Sequence, residues 1–576
     1  MAEISGADAL VRCLIEEGVR YVFGIPGDQT NPITDAIHRF GREAGLDFVM
    51  TRHEQAAAHM ADAWARVTGE PGVCLGTVGP GVADLVPGVY PAWADSVPMV
   101  VLGAQNQTWR IYPEHGSMQS LDQIGLMTPI TKWRALVADV RRMPELVQRA
   151  FREVTSGRPA PVYLDLPADV LCQRFEAEEH PILPPERYRA TTPPTADPDL
   201  VERAAEMLAE AKWPLIHAGG GVLRAGAWRE LVELAEHLSA PVTTSVGARG
   251  AIPEDHPLCL IPSSYGALGA QATADVVLLV GGRLGDLDFW GRPPAWGEVG
   301  EQRWIQIDIA PENIGLNRPV DLALVGDAKA TLRALLEAVK ERTGPRPENP
   351  QMADARAAQE AWLGQFEEGA RSNAVPIHPL RLVREVRAFF PRQAICAVDG
   401  GTTTVWAFYL NRVYEPRSFL WAADSGHLGT GLPYAIGAKL ARPDLPVYLI
   451  TGDGSFGFNA MELETARRVG APIVVIIAND RAWGMIKGSQ KLLLEERYIG
   501  VDFTDARYDR LAEALGCYGE RVTEPGQIRP ALERAVESGL PAVLDVLVDP
   551  EAHILPPDLA ILHGLWMEGC ELQGEA

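Results

Sequence analysis

Two acidic residues follow two apolar stretches of the chain, and their spacing points to metal and phosphate chemistry. Asp453 lies between Gly452 and Gly454, and a later stretch ends in Asn479 and Asp480, with 24 residues between Gly454 and Asn479. Both stretches are predicted to be buried strands of a parallel sheet, so both carboxylates come to the edge where such sheets bind ligands. Carboxylates are the hard oxygen ligands that Mg²⁺ takes beside phosphate, and glycines let the backbone come close. We therefore predict a diphosphate held through Mg²⁺.

The composition limits the other functions open to the chain. Its 576 residues carry 52 basic against 76 acidic side chains, a net charge of -24. Such a surface repels nucleic acid and anionic lipid, so we predict neither as a partner. The seven cysteines are scattered without a C-x-x-C pair, which favours a reducing compartment over a disulfide framework or a zinc site. The N-terminal segment is neither a signal peptide nor a membrane span, and we expect a cytoplasmic protein.

Helical and strand patterns alternate along the whole chain in three blocks separated by Pro-rich stretches. This alternation predicts an α/β protein of three doubly wound parallel-sheet domains. The predicted boundaries are 1–175 for the first domain, 190–345 for the central domain, 375–550 for the third domain and 551–576 for a C-terminal tail.

Several segments resemble one family. The G-D-G and N-D segments have the spacing of the thiamine diphosphate motif. Further matches follow in the family's order: Arg52-His-Glu-Gln-Ala-Ala-Ala, Gly79-Pro-Gly, Ala94-Asp-Ser-Val-Pro, Pro253-Glu-Asp-His-Pro and Gly431-Leu-Pro. Along nearly its whole length the sequence resembles the thiamine diphosphate-dependent enzyme superfamily, acetolactate synthase-like. The resemblance implies a pyrimidine-binding first domain, a central domain and a diphosphate-binding third domain. It also implies a homodimer or homotetramer, with the active site at the subunit interface.

The resemblance assigns roles to individual residues. Glu54 would hydrogen-bond the aminopyrimidine ring of the cofactor and activate it. Gln29 and His115 are further catalytic candidates, for which an ordinary structural role is the alternative. The implied metal ligands are Asp453, Asp480 and the Ala482 carbonyl; the other cofactor contacts are Thr402, Thr403, Gly426, Leu428, Gly452, Gly454, Ser455 and Met485; and the substrate contacts are Met118, Gln119, Trp483, Ile486 and Glu495.

The choice of reaction depends on local matches. In acetolactate synthases, the second Arg of one segment holds the acceptor keto acid, and Leu287 stands at that position here. In two other segments, Ser489 and Met118 replace a Trp and a Phe of acetolactate synthase. Residues 283–294 and 452–465 instead resemble the 2-hydroxyacyl-CoA lyase and oxalyl-CoA decarboxylase branch. The main prediction is therefore a carbon–carbon lyase that reversibly cleaves a 2-hydroxyacyl-CoA to formyl-CoA and an aldehyde or ketone. The alternative is an acetolactate synthase-like or benzaldehyde-lyase-like carboligase or decarboxylase that acts on free 2-keto acids or aldehydes.

Three further segments carry expectations. Gly219-Gly-Gly and Asp308 in the central block are typical of nucleotide-binding folds, and the lyase branch favours ADP over FAD there. Residues 487–497 are interpreted as a lid over the substrate, with an amphipathic surface helix as the alternative. The tail is apolar, so we expect it to cover the site or to pack at an interface.

Overall fold

The computed structural model describes residues 3–111 and 116–567. Within them the chain forms three parallel β-sheets flanked by helices, together with one antiparallel pair of short strands. The predicted α/β class with three doubly wound parallel-sheet domains is confirmed. No described helix has the length and apolar character needed to cross a membrane.

Each sheet is built from short apolar runs, because strands that are covered on both faces need apolar side chains in succession. In spatial order, the strands are Asp47–Met50, Tyr21–Gly24, Gly72–Gly76, Met99–Gln105, Val162–Pro167 and Trp133–Leu136 in the N-terminal sheet; Val242–Thr244, Pro214–Ala218, Val276–Val280, Arg303–Asp308 and Leu322–Val325 in the central sheet; and Phe419–Leu420, Ile395–Asp399, Val447–Gly452, Val474–Asn479, Ala542–Leu547 and Tyr518–Val522 in the third sheet.

Helices occupy most of the chain between these strands. The α-helices are Gly6–Glu16, Asn31–Ala36, Arg42–Ala44, Glu54–Thr68, Pro80–Ala94, Thr108–Ile111, Gln123–Met127, Met143–Thr155, Ala168–Cys172, Pro198–Glu210, Gly220–Ala225, Trp228–Leu238, Tyr265–Thr273, Ala328–Arg342, Pro350–Gly364, Glu367–Ala370, Pro379–Phe389, Thr402–Leu410, Gly431–Ala441, Asp453–Asn459, Glu462–Arg468, Gly484–Leu493, Tyr508–Ala514, Ile528–Glu537, Pro550–His553 and Leu559–Trp566.

The chain divides into two compact units that do not follow the sequence order. The first unit comprises residues 1–192, 424–444 and 458–473, and the second comprises the remainder. The N-terminal sheet belongs to the first unit, and the central and third sheets belong to the second. The domain boundaries given above stay predictions.

One helix pair shapes the core of the first unit. Helix Gly431–Ala441 packs along the Ala-rich helix Glu54–Thr68. A Cβ on Gly437 would lie 2.6 Å from the Met60 carbonyl oxygen, so only glycine allows this approach. The Tyr434 hydroxyl donates a hydrogen bond to Asp62, which also pairs with Arg66 at 2.7 Å. A buried polar network therefore fixes the register of the two helices.

In the second unit, a buried arginine joins two loops to the helix that carries the predicted diphosphate contacts. Arg249 is 1% exposed and forms two hydrogen bonds to the Glu254 carboxylate, at 2.6 and 2.8 Å. It also donates to the Asn411 carbonyl, just after helix Thr402–Leu410. The same carboxylate accepts a hydrogen bond from the Val413 N–H. The ion pair therefore holds the carboxyl end of this helix.

We expect Arg249→Leu to destabilise the protein strongly, because the buried Glu254 carboxylate loses its two short hydrogen bonds and keeps only Arg412, at 4.0 Å, as a cation among the described residues. Loss of one partner of a buried pair costs about 3–5 kcal/mol, whereas replacing both partners with apolar residues costs much less. Urea unfolding midpoints of the wild type, Arg249→Leu and the double variant Arg249→Leu/Glu254→Leu measure both effects. A double variant less stable than the single one would contradict this account.

Candidate active site

Two carboxylates meet at one edge of the third sheet. Strands Val447–Gly452 and Val474–Asn479 are parallel neighbours, with Gly452 opposite Ala478. Asp453 and Asp480 directly follow them and are 2% and 5% exposed. The Asp453 carboxylate accepts a hydrogen bond from the Gly454 N–H at 2.9 Å, and Asp480 accepts one from the Ala482 N–H at 3.2 Å. The two predicted metal-binding side chains are thus brought together.

The electrostatics of this pair favour a bound cation. Burial, followed by the negative charge of Asp480, raises the pKa of the Asp453 carboxyl to about 8. In the described part of the chain, neither carboxylate forms an ion pair with a lysine or arginine. Two adjacent buried carboxylates repel each other unless a proton or a metal ion lies between them. The donor set is oxygen-rich and suits Mg²⁺.

Small residues form a cradle around the pair. Thr402 and Thr403 begin helix Thr402–Leu410 and are each 3% exposed. A Cβ on Gly452 would lie 3.1 Å from the Thr403 hydroxyl oxygen. A Cβ on Gly484 would lie only 2.7 Å from both the Thr402 hydroxyl oxygen and Asp480 Oδ2. The backbone can therefore approach these polar groups closely, as a diphosphate site requires.

The remaining predicted residues of the second unit lie around this cradle or beyond it. Met485 packs at Gly401, where a Cβ would meet the Met485 Cβ at 2.5 Å, and the Trp483 ring covers Gly454. Ser455 is buried in helix Asp453–Asn459. Ile486 is 52% exposed on helix Gly484–Leu493. Glu495 lies beyond the end of this helix, is exposed and pairs with Arg497, so its contact with substrate stays a prediction.

In the first unit, Glu54 is positioned by the turn that begins its helix. His53 caps helix Glu54–Thr68, and its Nδ1 accepts a hydrogen bond from the Gln55 N–H at 3.2 Å. The buried Glu462 carboxylate accepts from the N–H groups of Arg52 and His53 at 2.8 and 3.1 Å. These bonds hold the backbone on both sides of Glu54, which is itself 9% exposed.

The surroundings of Glu54 favour its protonated form. Burial raises the pKa of the Glu54 carboxyl, and the neighbouring Asp84 carboxylate raises it further. One side-chain nitrogen or oxygen atom from each of His53, Glu54 and Asp84 lies within 4.8 Å of the others. A carboxyl with a raised pKa shares its proton readily with a ring nitrogen. This environment suits the role implied for Glu54.

The other predicted residues of the first unit are less constrained. Gln29 lies in the turn Asp28–Thr30 and accepts a hydrogen bond from the Thr77 hydroxyl at 3.4 Å. Met118 is 84% exposed, and Gln119 has a φ of 61°. The remaining three are Gly426, with a φ of 58°, and the half-buried Leu428, both before helix Gly431–Ala441, and His115, which lies outside the described residues.

In the central domain, close backbone packing accounts for the glycines that suggested a nucleotide site. A Cβ on Gly219 would meet the Gly281 carbonyl oxygen at 2.3 Å, and one on Gly221 would meet the Gly281 Cα at 2.7 Å. The buried Asp308 carboxylate accepts hydrogen bonds from the Ala310 N–H and the Asn313 side chain. These residues are therefore engaged in chain packing, and they supply no observation that favours ADP or FAD.

Sequence reasoning missed two residues that position the candidate site. Glu462 holds the turn before Glu54, as described above. His553, 2% exposed, lies 2.8 Å from Asp480 through its Nδ1 atom. Both are distant in sequence from the residues they contact, and no local motif marks them. A buried acid or histidine becomes informative only when its partner is known.

Comparison with protein-family models identifies the family. Three models match this chain: "Thiamine pyrophosphate enzyme, N-terminal TPP binding domain" at residues 4–126, the corresponding central domain at 201–335, and the C-terminal TPP binding domain at 399–546. The chain is also 35% identical over 577 aligned residues to a probable acetolactate synthase large subunit of Methanocaldococcus jannaschii, covering 96% of this chain and 93% of that protein. The chain belongs to the acetolactate synthase-like family of thiamine pyrophosphate enzymes.

Two other relatives are also named as large subunits of acetolactate synthase. The acetolactate synthase isozyme 3 large subunit of Escherichia coli is 33% identical, with 96% of this chain and 97% of that protein covered. The acetolactate synthase large subunit of Corynebacterium glutamicum is 32% identical, with 96% and 88% covered. The resemblance stated from the sequence is thus confirmed, and the chain is a thiamine diphosphate-dependent enzyme.

The same relatives correct the predicted reaction. Full-length similarity to acetolactate synthase large subunits contradicts the main prediction, cleavage of a 2-hydroxyacyl-CoA to formyl-CoA, and gives no support to an acyl-CoA substrate. That prediction came from residues 283–294 and 452–465. Neither segment contains Met118, Gln119, Trp483, Ile486 or Glu495, so the matches indicate shared ancestry more than specificity, and only Leu287 among their residues bears on the acceptor. The alternative, a carboligase acting on free 2-keto acids, fits better.

We expect Asp453→Asn to abolish Mg²⁺-dependent binding of thiamine diphosphate and to stabilise the apoprotein. The folded Asp453 keeps its proton to higher pH than the unfolded chain does, so apoprotein stability falls as the pH rises from about 4 to about 8. The asparagine removes this loss and should raise the melting temperature at pH 8 by a few degrees. Thermal melts with and without MgCl₂ and cofactor measure both effects, with Asp354→Asn, an exposed site, as control. Retained cofactor-dependent stabilisation in Asp453→Asn would refute the role.

We expect Glu54→Gln to lose about 10²–10⁴-fold in turnover, because the amide cannot exchange a proton with the cofactor ring. Cofactor affinity should change little, because the diphosphate contacts are untouched. Turnover and cofactor titration, with the exposed Glu70→Gln as control, separate the two effects. Unchanged turnover in Glu54→Gln would show that another group activates the cofactor.

Proposed function

We propose that this chain is a thiamine diphosphate-dependent carboligase that removes CO₂ from a free 2-keto acid and joins the remaining acyl unit to a second carbonyl compound. Pyruvate is the proposed donor. The observation that carries the proposal is full-length similarity to proteins named acetolactate synthase, together with the buried acidic pair that suits Mg²⁺ and a diphosphate. Acetolactate has the composition of two pyruvates less one CO₂.

The chain's own residues divide the work of such a reaction. When bound, thiamine diphosphate supplies the carbon that adds to the keto group and accepts the electron pair left by CO₂. Asp453, Asp480 and the Ala482 carbonyl would hold Mg²⁺, and Thr402 and Thr403 would donate to the diphosphate. Glu54 would hold and release the proton at the aminopyrimidine ring. The low exposure of these side chains excludes water, which strengthens their electrostatic interactions.

The proposed active unit is a homodimer or homotetramer. The basis is the resemblance, in which the glutamate of one subunit serves the diphosphate-binding domain of another. We propose a cytoplasmic location on composition alone, and a central-domain ADP or FAD remains without a supporting contact.

A second candidate concerns the acceptor. Leu287 stands where the resemblance implies an arginine that holds the acceptor's carboxylate, and an Arg-to-Leu change removes a bidentate partner. This favours an acceptor without a carboxylate, such as an aldehyde. Both candidates share the decarboxylation of the donor and differ only in the second substrate.

The test is product analysis with defined substrates. The enzyme with thiamine diphosphate and MgCl₂ is incubated with [¹³C]pyruvate, either alone or with benzaldehyde. Labelled acetolactate from pyruvate alone supports the first candidate, and a mixed hydroxyketone formed in preference to it supports the aldehyde acceptor. Release of ¹³CO₂ from carboxyl-labelled pyruvate reports the shared step. Absence of both CO₂ and a new carbon–carbon bond would overturn the proposal.

A further inference from the structure

The C-terminal segment, residues 549–566, reaches the cation edge of the third sheet. It contains the two helices Pro550–His553 and Leu559–Trp566. The Asp549 carboxylate caps the first helix by accepting from the N–H groups of Glu551 and Ala552 at 3.0 and 3.3 Å. This cap fixes the direction of the turn that carries His553.

His553 contacts residues assigned to both parts of the cofactor. Its Nδ1 lies 2.8 Å from Asp480 Oδ2, and its Nε2 lies 3.1 Å from the Thr403 hydroxyl oxygen. A longer contact of 3.4 Å joins Nδ1 to the Thr402 hydroxyl oxygen. A carboxylate only accepts, so Nδ1 carries the hydrogen in the bond to Asp480. One imidazole therefore links a predicted cation ligand to a predicted diphosphate donor.

The ring is held firmly in this position. The His553 carbonyl accepts a hydrogen bond from the Trp406 indole N–H at 2.9 Å. Gly484 leaves space beside the ring, since a Cβ there would be 3.3 Å from His553 Nδ1. On the other side of the segment, a Cβ on Gly488 would meet the Ile554 carbonyl oxygen at 2.1 Å, so the segment packs directly on helix Gly484–Leu493. The Tyr409 hydroxyl also donates to Asp558 at 2.7 Å.

We propose that His553 is a positioning residue of the cofactor site, and that the C-terminal segment thereby forms part of the diphosphate and cation site. Its Nδ1–H donates to Oδ2 of Asp480, which leaves Oδ1, an acceptor of the Ala482 N–H, to bind the cation. Its Nε2 fixes the rotamer of Thr403 at the start of the helix that carries the predicted diphosphate contacts. This inference rests on the proposed roles of Asp480 and Thr403.

The physical basis is the free-energy cost when a buried metal-binding side chain loses a hydrogen-bond partner. Without the imidazole, Asp480 Oδ2 and the Thr403 hydroxyl would lose a buried hydrogen-bond partner, and within the part of the chain that the structure describes Asp480 would keep only the bond from the Ala482 N–H to its Oδ1. Partners that hold metal ligands from outside the coordination sphere typically contribute about 10–100-fold to metal affinity. The same range is expected here.

The experiment compares three histidine variants by titration of the apoprotein. Thiamine diphosphate is titrated at saturating MgCl₂, and MgCl₂ is titrated at saturating cofactor, with quenching of tryptophan fluorescence as the readout. His553→Ala removes both contacts and should raise both dissociation constants by about tenfold or more. His553→Asn keeps a donor near the Nδ1 position, so the Mg²⁺ constant should stay near that of wild type while the cofactor constant rises. His563→Asn is the matched control, because His563 belongs to the same segment but contacts Ser489 at 2.8 Å.

The outcomes separate this inference from the proposed function. Wild type that fails to bind thiamine diphosphate with Mg²⁺ would overturn the proposed site, and the inference with it. Wild type that binds, with both His553 variants within twofold of it and of His563→Asn, would overturn the role of His553 alone. Should His553→Ala lack a cooperative thermal transition, His553→Asn decides, with the twofold criterion applied to its cofactor dissociation constant alone.

Discussion

The third sheet holds two buried carboxylates side by side, where they repel each other. Asp453 and Asp480 are held side by side because the strands that precede them are neighbours in the sheet. Neither can turn outward, since the backbone N–H groups of Gly454 and Ala482 hold them. A fold that keeps two acids so close, with so little water, is at a disadvantage until a cation binds between them. If a cation binds there, its affinity and the instability of the apoprotein would therefore have one source.

The residues around the pair follow from this constraint. The glycines and short threonines leave space for a diphosphate, and larger side chains would fill it. His553 supplies the partner that a buried carboxylate needs on its outer oxygen. The arginine–glutamate pair at Arg249 holds the opposite end of the helix that carries the threonines. Buried polar groups thus support both ends of helix Thr402–Leu410.

The sequence was sufficient to predict the elements whose signal is local. Buried strands such as Val447–Gly452 are continuous apolar runs, and the acidic pair follows from two strand ends with a fixed spacing. The fold class and the enzyme family were predicted correctly. The reaction was not, because the segments that resembled lyases lie outside the predicted substrate contacts. His553 and Glu462 could not be predicted either, since each acts on a partner tens or hundreds of residues away.

The two compact units also bear on how this protein can be divided in the laboratory. Helix Gly431–Ala441 is encoded within the third family domain, yet it completes the core of the first unit by packing on helix Glu54–Thr68. A fragment cut after residue 192 would expose the alanine-rich face of that helix and leave Asp62 without Tyr434. Chimeras between relatives would have to exchange both helices together. The family domains, which are continuous in sequence, therefore do not coincide with the compact units of the folded chain.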